Sequence, residues 1–139
     1  MFRRVLVPVD FTPRSLRAVR AAAKVAATTH ARTTLLHVIE RIDDDQSRTF
    51  ESFYRKLESS AREKLKGLLA PFAEKGLDVR AEILYGKPVG EILRFAQGNR
   101  IDLIVMSSHK LPLRRSGESW GTVSYKVGIL SRCPVLLVK

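Results

Sequence analysis

Five short runs of β-type residues alternate with segments of helical periodicity, and this alternation limits the fold more than any other feature. The runs are RRVLVPV (3–9), RTTLLHVI (32–39), LDVRAEIL (77–84), DLIVMS (102–107) and PVLLVK (134–139). The first, fourth and fifth are almost continuously apolar, as strands buried on both faces of a parallel sheet are. Strands alternating with helices over 139 residues predict one α/β domain spanning 1–139. Right-handed crossovers place helices on both faces. The expected architecture is a five-stranded parallel, Rossmann-like sheet in the order 3-2-1-4-5, with two helices on each face. Winding then reverses between strands 1 and 4, and ligands bind in the crevice beyond their carboxyl ends. Those ends are VPVDFTP and VMSSHK.

Four helical patterns fill the gaps. Thr12 followed by Pro13 reads as an N-cap with proline at the first helical position, and Leu16, Val19, Ala23 and Ala26 continue at helical spacing. Phe50, Phe53, Tyr54, Leu57, Ala61, Leu65, Leu68 and Phe72 form a second stripe, read as one long helix packed on the sheet and ended by Gly76. A third helix follows YGKPVGEIL and presents Val89, Ile92, Leu93 and Ala96. The fourth runs from about Gly121 to Leu130.

Composition removes several classes of function. Apolar residues make up 45% of the chain, enough for a core and too many for a disordered polymer. No apolar run approaches the ~20 residues that span a bilayer, and Pro8 and Asp10 interrupt the first run, so neither a membrane span nor a signal peptide is expected. The single cysteine, Cys133, cannot form an internal disulfide and reads as a small side chain in a reducing cytoplasm. The net charge of +11 favours anionic ligands. It is spread along the chain without interleaved aromatic residues, so nucleic-acid association would be weak and sequence-independent. The acidic stretch Asp43–Asp45 lacks the alternation and glycine of a calcium loop. No histidine or cysteine spacing suits a metal, and the Gly-x4-Gly-Lys-Ser/Thr phosphate loop is absent.

Two readings stand side by side at each crevice residue. Asp10 can accept hydrogen bonds from a base amino group or a ribose hydroxyl, or it can cap the helix beyond it. Thr122 and Ser124 lie in the first turn of the fourth helix, where free N–H groups favour an anion, or they cap that helix. Lys110, Arg114 and Arg115 can neutralise phosphate or remain solvated. His37 belongs either to the strand's packing or to the crevice, and His109 reaches a phosphate or closes a turn.

The segments RVLVPVDFTPRSLRAVRAAAKVA, LLHVIE, GKPVGEIL, DLIVMSSH and GTVSYKVGILSRCPVLLVK resemble the universal stress protein family over essentially the whole chain. The resemblance implies the sheet order above and a homodimer paired through the last strands, here Val135, Leu136, Leu137 and Val138. Members that bind ATP carry Gly, two residues, Gly, nine residues and Gly-Ser/Thr. In this chain Ser107 and Lys110 occupy the first two glycine positions, ten residues follow, and Gly121-Thr122 completes the pattern. The resemblance further implies that Pro8, Val9, Asp10 and Val38 line the adenine and ribose. Met106, Ser107, Ser108, His109 and Lys110, with Gly121, Thr122, Val123 and Ser124, would surround the phosphates. The expected ligand is ATP or AMP, with Mg²⁺ accompanying ATP. Lysine at position 110 adds a charge and bulk where the pattern has backbone freedom.

The leading expectation is a dimeric cytoplasmic binding or regulatory module with an adenine-nucleotide site. Any ATP hydrolysis would be slow, because no metal-binding acid or water-activating base stands near the loop. Competing expectations are a nucleotide-free adaptor acting through protein contacts, a basic protein associated with nucleic acid, and an enzyme using the crevice for an unrelated substrate.

Overall fold

The computed structural model describes residues 1–41, 50–108 and 120–139, with the backbone alone at 120 and 121. Asp43–Asp45 and residues 109–119, with His109, Lys110, Arg114 and Arg115, lie outside the described residues. The elements follow in the order β1 (Arg4–Pro8), α1 (Pro13–Thr29), β2 (Arg32–Ile39), α2 (Glu51–Leu68), α3 (Ala70–Ala73), β3 (Val79–Tyr85), α4 (Pro88–Gly98), β4 (Leu103–Ser107), α5 (Trp120–Leu130) and β5 (Val135–Val138). All strand pairs are parallel and the order is β3-β2-β1-β4-β5, as expected.

The central strands are apolar because both their faces are covered. Every residue of β4 is buried, as is all of β1 after Arg4. Val5, Val7, Val9, Leu35 and Val105 pack with α1, with Leu65 of α2 and with Phe72 of α3. Leu6, Leu36, Ile104 and Met106 pack on the other face with Ile92 and Ala96 of α4 and Val123 and Val127 of α5. At the amino end the Asp102 carboxylate accepts the backbone N–H groups of Arg3 and Arg4, at 2.8 and 3.0 Å. This closes the seam between β1 and β4 before their ladder begins.

The two edges of the sheet differ. On β3, Arg80 and Glu82 are exposed. Such charges discourage another strand from adding. β5 carries no charge, and its Leu136 and Leu137 are 42% and 36% exposed. Tyr125, Ile129 and Leu130 are also exposed on the neighbouring helix α5.

The second helical stripe is shorter and more broken than its periodicity predicts. Pro71 has no N–H to give to the turn before it, so the helix cannot run on as one rod. Leu69 N–H instead bonds back to the Lys66 carbonyl at 3.2 Å, and the short α3 restarts around Pro71. Tyr54, Ala61, Leu65 and Phe72 are buried, whereas Phe50, Phe53 and Leu57 at the amino-terminal end are exposed. Gly76 takes φ 64°, which suits the turn that leads into β3.

These differences in burial predict different costs of truncation. Phe72→Ala should destabilise the protein by about 3–5 kcal/mol, because it empties a fully enclosed site. Phe53→Ala should change stability by no more than about 0.5 kcal/mol. Urea unfolding of both variants checks the pair.

Candidate functional site

The crevice begins where β1 ends. Val9 still donates its N–H to the Leu36 carbonyl at 2.9 Å, and its side chain is buried on the α1 face. The chain then turns sharply at Phe11, whose φ of 65° is unusual for a bulky residue. The turn folds Thr12 and Ser15 back onto Asp10. One carboxylate oxygen, Oδ1, accepts the Thr12 N–H at 3.1 Å, the Thr12 hydroxyl at 2.7 Å and the Ser15 hydroxyl at 2.6 Å. The Asp10 N–H donates in return to Ser15 Oγ at 3.1 Å. Thr12 stands at the N-cap but makes no side-chain cap of its own, so Asp10 orders this helix start. The capping reading of Asp10 is thus the one its hydrogen bonds display. Oδ1 holds the turn, and Oδ2 has no hydrogen-bond partner among the described residues.

His37 supports the turn from β2. Its Nδ1–H donates to the Val9 carbonyl at 2.9 Å, and its ring stacks on Phe11 with centroids 4.2 Å apart. Lys64 Nζ from α2 lies 5.3 Å from the centre of the Phe11 ring. A cavity of about 220 Å³ adjoins Phe11, His37 and Lys64 on the α2 side. Burial holds the imidazole below its ordinary pKa of 6.5. It outweighs the Val9 bond and the Asp10 charge, which favour protonation, and Lys64 acts in the same direction as burial. The neutral ring with hydrogen on Nδ1 leaves Nε2 as an acceptor.

The residues expected around the base and phosphates divide between the two faces. Val38 is half-buried and packs with Met106 and Val123 on the α4–α5 face, opposite Val9. Pro8 closes β1 and is buried. The end of β4 offers less to a ligand than its sequence suggests. Met106 and Ser107 are fully buried, and the Ser107 side chain already has a partner. Ser108 donates its N–H to the Val138 carbonyl at 2.8 Å, extending the ladder to β5. Gly121, Thr122, Val123 and Ser124 fall in the first turn of α5, as expected. There the helix has N–H groups without an intrahelical acceptor. Thr122 and Ser124 each have an interaction partner, and Ser124 is buried. Among the described residues no group of three or more histidine, cysteine, aspartate or glutamate side chains could hold a metal ion.

Sequence reasoning passed over Ser15 and Phe11. The available signal was a serine five residues beyond the strand-end aspartate, one turn inside a helix. The reversal at Phe11 that joins them could not be read from a phenylalanine.

The universal stress protein family model matches residues 1–139. The chain belongs to the universal stress protein family. A family member from Bacillus subtilis (strain 168), universal stress protein YxiE, is 33% identical over 151 residues, covering all of both chains. Among solved members, the UspA protein of Lactobacillus plantarum superposes with a TM-score of 0.81 at 23% identity, covering 99% of this chain and 98% of that one. A universal stress protein in complex with cAMP gives 0.80 at 23% identity, with 99% and 97% covered. The Archaeoglobus fulgidus member with dAMP gives 0.71 at 21% identity, with 100% and 98% covered. The Arabidopsis thaliana member with AMP gives 0.70 at 22% identity, with 99% and 91% covered. No described helix of this family member is long and apolar enough to cross a membrane.

The neutral state of His37 predicts a pH dependence. The folded imidazole titrates below its unfolded value of 6.5. The unfolded chain therefore takes up a proton first as pH falls. The stability linked to His37 is full above 6.5 and declines as pH drops through the lower folded value. Urea midpoints from pH 7.5 to 5.5 should fall more steeply for the parent than for His37→Gln.

Proposed function

We propose that this universal stress protein is a binding or regulatory module for an adenine nucleotide held between the ends of β1 and β4. The observation that carries the reading is the half-engaged Asp10 carboxylate. Oδ1 is fixed by three donors, and Oδ2 remains to accept a hydrogen bond from a nucleoside. Three solved relatives in complex with cAMP, dAMP and AMP give this chemistry its precedent. Val38 borders the nucleoside, and the first turn of α5 faces the phosphates with its N–H groups. Because Ser107 is enclosed and the Ser108 N–H is engaged by β5, the β4 side depends on His109 and Lys110 for phosphate contacts. Mg²⁺ would enter with ATP. The protein acts in the cytoplasm and binds its nucleotide without rapid turnover. The competing reading, an adaptor without nucleotide, draws on the same enclosure of Ser107 and Ser108.

Calorimetry with adenosine, AMP and ATP at one salt concentration tests this. Affinity should rise along the series. Lys110→Ala should weaken ATP more than adenosine, by roughly 1–2 kcal/mol for a lost charge-assisted contact. Asp10→Ala should weaken all three about equally. Lys110→Gly separates the rival view, since tighter ATP binding would mark Lys110 as an obstruction. No binding by the parent to any of the three would leave the adaptor reading in place.

The protein is also proposed to be a homodimer through Val135, Leu136, Leu137 and Val138. The uncharged, partly exposed edge supports this, and the exposed Tyr125 and Ile129 of α5 extend the apolar surface beside it. Leu136→Lys should halve the mass measured by light scattering while leaving the helical signal intact. An unchanged dimeric mass would place the interface elsewhere.

A further inference from the structure

A second cluster lies at the amino-terminal rim of the sheet, remote from the crevice at the carboxyl ends. Parallel register sets Arg4 of β1 beside Arg32 of β2, and Thr34 of β2 beside Arg80 of β3. Residues two apart on a strand share a face. Arg32 and Thr34 therefore point the same way, and Arg4 and Arg80 flank them. These four residues, with Asn99 and Ile101 after α4, line a cavity of about 80 Å³.

Like charges on neighbouring strands repel, and the chain compensates these only in part. The Asp78 carboxylate pairs with Arg32 Nε at 3.0 Å. The Asn99 carbonyl, at the carboxyl end of α4, accepts Arg4 Nη1 at 3.3 Å. Among the described residues Arg80 has no ion pair, and the Thr34 hydroxyl has no hydrogen-bond partner. The rim thus gathers three guanidinium groups and a free hydroxyl against two carboxylates, Asp78 on Arg32 and Asp102, which is committed to the N–H groups of Arg3 and Arg4. Planar guanidinium groups match the oxygens of phosphate in paired hydrogen bonds.

We propose that this rim is an oxyanion site that takes a single phosphate group. Its volume is well below the roughly 300 Å³ at which pockets for drug-sized ligands begin. It matches a single tetrahedral head group, and the rest of any larger ligand would stay outside it. The site stands independently of the crevice, since it shares no residue with it. Because the three arginines are exposed, binding is modest and weakens as salt screens them.

Titration of the isotope-labelled full chain with inorganic phosphate, against chloride at matched ionic strength, tests the site by amide resonances. Shifts should concentrate at Arg4, Arg32, Thr34 and Arg80. Arg80→Gln, an exposed change on an edge strand, should weaken phosphate at least fivefold, and so should Arg32→Gln. Arg94→Gln, an exposed arginine paired with Glu91 at 3.3 Å on α4, should leave the affinity unchanged. A parallel titration with glycerol 2-phosphate distinguishes the source of the phosphate. Equal shifts include monoesters among the ligands, whereas a response to inorganic phosphate alone restricts the site to the free ion, and both support it. Shifts scattered over all basic residues, equal loss in Arg94→Gln, or no response beyond that of chloride would overturn the proposal.

Discussion

Parallel pairing of β1 with β2 on one side and β4 on the other is the constraint on which the other features rest. A parallel neighbour requires a crossover, and a crossover brings a helix across the sheet. Strands 1 and 4 therefore lie under helices on both faces, which is why their residues are apolar without alternation. The same pairing separates the chain's two crossover directions. At that point the ends of β1 and β4 lie side by side, followed by the turn at Phe11 and by Ser108. The Asp102 carboxylate secures the opposite end of this seam by holding two N–H groups of the strand beside it.

The crevice is built by layered support. His37 bonds to the carbonyl of Val9 and stacks on Phe11, which offsets the strain of a left-handed phenylalanine. That turn brings Thr12 and Ser15 onto Asp10, and Asp10 in turn orders the start of α1. One oxygen of a single carboxylate is thereby committed to structure, and the other has no hydrogen-bond partner among the described residues. At the end of β4, Ser107 is enclosed and the Ser108 N–H is held by Val138.

Strand order and helix faces were legible because they depend on periodicity and connection rules. The legible part stopped where tertiary geometry overrode local pattern. Phe50, Phe53 and Leu57 continue the helical stripe in sequence, yet they run past the region that the sheet covers. Pro71 breaks the same stripe by removing one donor. Asp10 could be suspected from its position, but the role of Ser15 depends on a backbone reversal at a residue type that seldom makes one. The arginine rim was the least visible feature. Arg4, Arg32 and Arg80 look dispersed along the chain, and only strand register sets them side by side.

The contrast between the two sheet edges has a consequence for assembly. If β5 meets its own copy across a two-fold axis, the contact uses the same surface on both partners and leaves none for a third. The free edges of the joined ten-stranded sheet would then both be β3, with the exposed Arg80 and Glu82 at each end. Growth by strand addition would meet charge in either direction. The chain's most adhesive edge would thus set a count of two and oppose a fibre.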